Sequence, residues 1–300
     1  MRVRCLTAAG LVLAAAFVLV GEQGAAGRSA EPVTRTVYVS VTDGQGLPVT
    51  DLTADDFAVK EGGKERPLTT AEPAKGRVHV ALACEERLIA DGSIRTGMFE
   101  FVKRLVGRAE IALVTIGLKS NTIVDYTAIP DTLVTALNQL TLNPNPNSNM
   151  TEGLLELARS IDRHNAPRSA LVVLAFSGGQ AGGAQSKEVL DSLRQSGVVM
   201  SSVTLPGFEG NLSTQVGAIG DASNREKVLG EGPKQTGGRR IEIPSTGAAP
   251  KALQQIASDL LGQYALTYSL PDGVKPDRRF SASVKRKGLT LRAPYAIPDE

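Results

Sequence analysis

The sequence predicts an α/β fold built on a largely parallel sheet with helices on both faces. Three apolar runs, at 78–84, 111–116 and 170–176, are each long enough for one buried strand and too short for a helix. The last of them, Ala-Leu-Val-Val-Leu-Ala-Phe, is apolar throughout, as a strand covered on both faces must be. The stretches between the runs space their apolar residues by three and four, the period of an amphipathic helix. Strand and helix signals therefore alternate from about residue 77 to residue 264, the pattern of a parallel sheet.

Composition sets the outer limits. At 300 residues, with 42% hydrophobic and 21% charged side chains, the chain can bury one large core or one core plus a small second unit. A net charge of +2 gives no field suited to nucleic acid or an acidic membrane surface. The lack of tryptophan and an aromatic content of 4% argue against a platform for stacking bases.

Residues 1–26 read as a secretory signal peptide. Arg2 and Arg4 are followed by an apolar stretch at 6–20 and by the small residues Gly24-Ala25-Ala26, which places cleavage near Gly27. The apolar stretch is shorter than the ~20 residues that span a bilayer. No second long apolar run follows, so the mature chain is expected in the periplasm or outside the cell, without a transmembrane span. Cys5 leaves with the signal. Cys84 then stands alone, which excludes an intramolecular disulfide and reads as a small buried hydrophobe.

Residues 31–74 form a small β lead-in. Val33 to Thr42 alternate apolar and polar residues, and Asp43-Gly44-Gln45-Gly46 and Glu61-Gly62-Gly63-Lys64 are turn sequences. Asp55-Asp56 reads as a capped turn that lets Leu52 and Phe57 pack, in preference to a metal or acid–base pair. Residues 77–264 carry the central domain. Its strands are expected at 78–84, 111–116, 122–126, 170–176, 198–204 and 239–243. Its helices are expected at 94–106, 131–140, 151–163, 186–195 and 251–264. Residues 205–238 read as mostly irregular, with one short helical piece near 225–230. The tail, 265–300, returns to period two around Asp272-Gly273 and Lys287-Gly288 and reads as an antiparallel β-hairpin appendage.

Several segments together resemble bacterial VWFA-related proteins. They are 39–49 (Val-Ser-Val-Thr-Asp-Gly-Gln-Gly-Leu-Pro-Val), 52–57 (Leu-Thr-Ala-Asp-Asp-Phe), Glu61-Gly62-Gly63-Lys64, Thr236-Gly237-Gly238, Gln263-Tyr264-Ala265-Leu266-Thr267-Tyr268 and the closing 284–295. The resemblance implies a Rossmann-like von Willebrand factor A-type sheet flanked by helices, usually in an exported protein. It also implies a divalent-cation site built from Asp-x-Ser-x-Ser after the first strand, a threonine, and an aspartate after the fourth strand. Here the first position falls at or beside Cys84-Glu85-Glu86-Arg87. Gly178 stands where the aspartate is expected, and only Thr151 matches. Asp91-Gly92-Ser93 offers a displaced version of the first motif, with Arg95 in place of its last serine. A hard cation needs several oxygens and usually a carboxylate, so no metal and no cofactor are expected.

In an open parallel sheet, ligands bind beyond the carboxyl ends of the strands. The expected partner-binding surface is therefore Glu85, Glu86, Asp91, Ser93, Asn145, Asn147, Asn149, Thr151, Ser177, Gly178 and Gly179. The expected function is a non-enzymatic module that engages a protein partner at the cell envelope. Two alternatives are a purely structural envelope domain and a ligand- or nucleotide-binding protein using the Gly-rich loop 177–183. That loop has the place of a phosphate cradle but neither of the usual motifs.

Overall fold

A computed structural model describes residues 33–140, 148–179, 182–206 and 216–298, with the backbone alone described at 216–221. The expected signal peptide lies outside the described residues. The lead-in contributes β1 (Thr34–Thr42), β2 (Phe57–Glu61), β3 (Lys64–Arg66) and β4 (Leu68–Pro73). Then come β5 (Val78–Glu85), α1 (Gly92–Leu105), β6 (Ala109–Ile116), β7 (Ser120–Thr127), α2 (Pro130–Gln139) and α3 (Met150–His164). The alternation continues with β8 (Ser169–Phe176), α4 (Ser186–Gln195), β9 (Val199–Leu205), α5 (Val216–Thr236), β10 (Arg240–Glu242) and α6 (Ala249–Leu261). The chain closes with β11 (Tyr264–Ser269), β12 (Phe280–Val284) and β13 (Thr290–Arg292).

The central sheet has the order β10-β9-β8-β5-β6-β7, parallel except for the antiparallel edge strand β7. Its two faces bury alternate residues of the same strands. Val80, Leu82 and Cys84 of β5 face a core shared with α1, α2 and α6. Ala81 and Ala83 face a second core shared with α3, α4 and α5. The two-sided burial explains the apolar runs that mark these strands.

The helix expected at 251–264 stops at Leu261, and Tyr264 opens β11 instead. Two larger features also depart from the sequence reading. The first is α5, which spans 21 residues where an irregular segment with a short helix was expected. Gly217, Gly220, Gly230, Gly232 and Pro233 read as breakers, but packing on β9 overrides them. A side chain at Gly232 would meet Met200 Sδ at 2.6 Å, so glycine permits the close approach. Pro233 has no N–H to offer the carbonyl of Leu229 four residues back. The Ser202 hydroxyl of β9 fills that place, donating to Leu229 O at 2.9 Å. The Thr236 hydroxyl accepts from Met200 N at 2.9 Å and pins the helix end to the same strand.

The second concerns the tail. Strands are present on both sides of Lys287-Gly288, but they do not pair with each other as a hairpin. β12 pairs with β2, and β13 pairs with β1. β1 lies between β13 and β11 in a four-stranded antiparallel sheet ordered β13-β1-β11-β4. A third core forms there from Val37, Val39, Val41, Leu52, Phe57, Tyr264, Leu266, Tyr268 and Phe280, among others. Two short strands of a hairpin would be marginal in water; pairing each with a lead-in strand packs Phe280, Ala282, Val284 and Leu291 against the third core.

Candidate functional site at the sheet's switch point

Numbered within the central sheet, the strands run 3-2-1-4-5-6, and their order reverses between β5 and β8. The crevice beyond the carboxyl ends at such a reversal is the natural ligand position of an open α/β sheet. Glu85 ends β5 and Phe176 ends β8, so both stand at this point.

Glu85 is fully buried, and both of its carboxylate oxygens are engaged. Oε1 accepts from Arg87 Nε at 3.1 Å and Arg87 Nη2 at 3.0 Å. Oε2 accepts from the Phe176 amide at 2.9 Å and from Nη2 of Arg225, which is also fully buried. Arg225 donates further to Phe176 O, from Nε at 3.0 Å and Nη2 at 2.7 Å. The Arg87 guanidinium lies 4.6 Å over the Phe176 ring. A buried carboxylate is thus closed between two guanidiniums, one from the loop after β5 and one from α5. A buried charge requires pairing of this kind.

Around this centre the loops hold one another. Glu86 accepts from the Thr115 hydroxyl at 3.3 Å and packs against Gly117, which leaves no room for a side chain there. Asn149 donates its amide to Gly117 O at 2.8 Å and its side chain to Leu118 O at 2.9 Å, tying the start of α3 to the β6–β7 turn. Thr151 is fully buried, with its hydroxyl 3.4 Å from Glu152 Oε2. Glu152 Oε1 accepts from the amides of Gly183 and Ala184, the latter at 3.0 Å. At the end of the Gly-rich loop, the Gly183 amide thus holds a carboxylate of the chain itself.

Asp91 and Ser93 are engaged in a helix start instead. Asp91 caps α1, accepting from the Ser93 amide at 2.8 Å and the Ile94 amide at 3.3 Å. A hydrogen bond from Thr246, with those from the two amides, holds its carboxyl below the usual carboxylate range against the opposing effect of burial. Arg95 donates to Ile89 O at 2.7 Å and Leu140 O at 2.8 Å. Asp91-Gly92-Ser93 is a helix start in this chain.

The expected surface is thus partly corrected. Glu85, Glu86, Asn149, Thr151, Ser177, Gly178 and Gly179 converge on one end of the sheet, but Glu85 and Thr151 are buried beneath that surface. Ser177 and Gly178 are half-buried, and Gly179 is exposed with φ 115°. Asn145 and Asn147 lie outside the described residues. Sequence reasoning missed Arg225, Glu152 and the exposed Leu118. Arg225 sits in Asn-Arg-Glu-Lys, which reads like any solvated helix turn. Among the described residues no group of three or more His, Cys, Asp or Glu side chains is placed to hold a metal ion. Cys84 is buried and free, and burial with the neighbouring Glu85 pushes its thiol far up, which leaves it inert.

The strand order, the antiparallel edge and the helices on both faces make a doubly wound, Rossmann-like α/β sheet with extra strands from both termini. No protein-family model matches the chain. No curated protein matches it. Solved structures similar to it include a von Willebrand factor type A protein from Catenulispora acidiphila, at 10% identity and a TM-score of 0.44, covering 91% of this chain and 75% of that one. An aerotolerance-related membrane protein from Bacteroides fragilis is similar at 16% identity and a TM-score of 0.41, over 60% of this chain and 98% of that one. The vWF domain of the type V pili tip protein Mfa5 from Porphyromonas gingivalis matches at 11% identity and 0.43, over 61% and 95%.

Proposed function

We propose that this chain is an exported, non-enzymatic interaction module that engages a protein partner at the cell envelope without a divalent cation. One observation carries the reading: the buried carboxylate at the switch point, Glu85, already has Arg87, Arg225 and the Phe176 amide on its two oxygens. The remaining donors fit a cation poorly. Gly178 has no side chain, Thr151 offers one neutral oxygen, and Asp91 is committed to capping α1. A cation entering here would have to displace a guanidinium from a desolvated carboxylate.

The contact surface is then the rim above that pair. Asn149, Ser177 and Gly179 are accessible there, and Leu118 is 45% exposed on the adjoining turn. Loops on a rigid sheet are where binding usually sits. Export is supported by the Arg2/Arg4, 6–20 and Gly24-Ala25-Ala26 pattern. Among the described residues no helix is long and apolar enough to cross a membrane.

The test is in-envelope crosslinking from a probe placed at Ser177, with and without EDTA. The reading expects one captured protein, insensitive to EDTA and lost in Leu118→Arg. Capture abolished by EDTA would contradict it; capture of nothing in the native envelope would favour a structural role.

A further inference from the structure

At the opposite end of the sheet, the only two histidines of the chain meet. His79 lies at the start of β5 and His164 at the end of α3, 85 positions apart in sequence, yet His79 Nδ1 stands 3.2 Å from His164 Nε2. We propose that these two imidazole nitrogens form a chelating site for a divalent transition-metal ion of the zinc, nickel or copper class.

The separation is the first argument. Two nitrogens bound to one zinc at 2.0–2.1 Å in a tetrahedral shell stand about 3.3 Å apart. His79 and His164 already stand at that spacing, on a strand and a helix rather than on loops, so little reorganisation is needed.

The surroundings are the second. The Tyr126 ring stacks on His164, with centroids 4.6 Å apart and planes 15° apart, and fixes the imidazole's orientation. Glu110, on the neighbouring strand β6, places Oε2 3.8 Å from His79 Nδ1. Arg77 takes its other oxygen, Oε1, at 3.4 Å. Oε2 faces the same nitrogen that would take the ion, so its negative charge favours a cation there. His79 and Glu110 are partly exposed and His164 is exposed, so water can reach the ion and complete its shell. Imidazole nitrogen selects borderline transition metals over Mg²⁺ or Ca²⁺. The site is therefore separate in place and in chemistry from the cation question at the switch point, and it does not rest on that reading.

The test is calorimetry on the full chain, purified without a histidine tag, with Zn²⁺ and Ni²⁺ in a non-coordinating buffer near neutral pH. Binding of one ion in the micromolar range is expected. His79→Gln and His164→Gln should each weaken it by on the order of tenfold or more, because each leaves a single nitrogen in place of a chelate. Circular dichroism confirms that each variant is folded, and a Zn²⁺-induced rise in Tm should vanish in both. Binding no tighter than millimolar would overturn the proposal and leave a hydrogen-bonded histidine pair. Binding unchanged in His164→Gln would overturn it as well.

Discussion

Arg225 reaches from α5 to the Glu85 carboxylate at the end of β5, and both side chains are fully buried. The contact joins positions 140 residues apart and fixes the last helix of the second layer to the centre of the sheet. It also means that the most protected charge of the candidate site is already neutralised by the chain.

Removing Arg225 strips a guanidinium from Glu85 Oε2 and Phe176 O, although Arg87 and the Phe176 amide still hold the carboxylate. Arg225→Ala should therefore destabilise the protein by up to about 3 kcal/mol, the low end for breaking a buried pair. Arg225→Lys should recover little of this, because an ammonium cannot serve both Glu85 and Phe176 O in the planar geometry used here. Urea denaturation at neutral pH measures both. A loss below about 1 kcal/mol for the alanine variant would mean that water solvates Glu85.

The support under Pro233 is separately testable. Ser202→Ala removes the donor to Leu229 O and leaves that buried carbonyl unpaired, which should cost about 1–3 kcal/mol. The same denaturation series reports it, and amide exchange near 229–236 should quicken. Unchanged exchange there would show that α5 does not need the hydroxyl.

How much of this was legible follows from where the determinants lie. The runs 78–84, 111–116 and 170–176 announce the sheet because double burial leaves an apolar record broken only at His79 and Thr115. α6 was visible through Leu253, Ile256, Ala257 and Leu260 at helical spacing, all buried. α5 was not, because its stability comes from Ser202, Met200 and the glycine contacts on β9, none of which its own sequence records. The tail pairing was half legible: period two marks the strands, but the choice of β2 and β1 over each other depends on a core assembled from both ends of the chain. At the site, Glu85 and Thr151 could be placed from their positions after β5 and at the start of α3. Arg225 lies 140 residues from its partner, and local sequence carries no trace of the contact.

Asp91 offers a pH-dependent check on its capping role. Asp91→Ala should cost about 1 kcal/mol at neutral pH. The carboxyl is held below its ordinary value in the folded state, so its contribution is full above the ordinary carboxylate range. It is lost as pH falls through the depressed value. The difference in stability between wild type and variant should accordingly shrink on acidification. A difference that is constant down to the acid transition would place the effect outside the carboxylate.

Glu152 ties the loop before α4 to α3. Glu152→Ala should free the amides of Gly183 and Ala184 and raise their hydrogen exchange, while the strands β5 and β8 remain protected. Protection unchanged at 183–184 would show that the carboxylate is not what orders this loop.

The central claim, an interaction module with an internal counter-charge in place of a cation, is tested most directly by titrating Mg²⁺ and Ca²⁺ into the full chain by calorimetry. The account predicts no heat of binding tighter than the millimolar range, in the wild type and in Thr151→Ala alike. Micromolar binding that Thr151→Ala abolishes would contradict it, because an ion would then be held at the switch point despite Arg225 and Arg87.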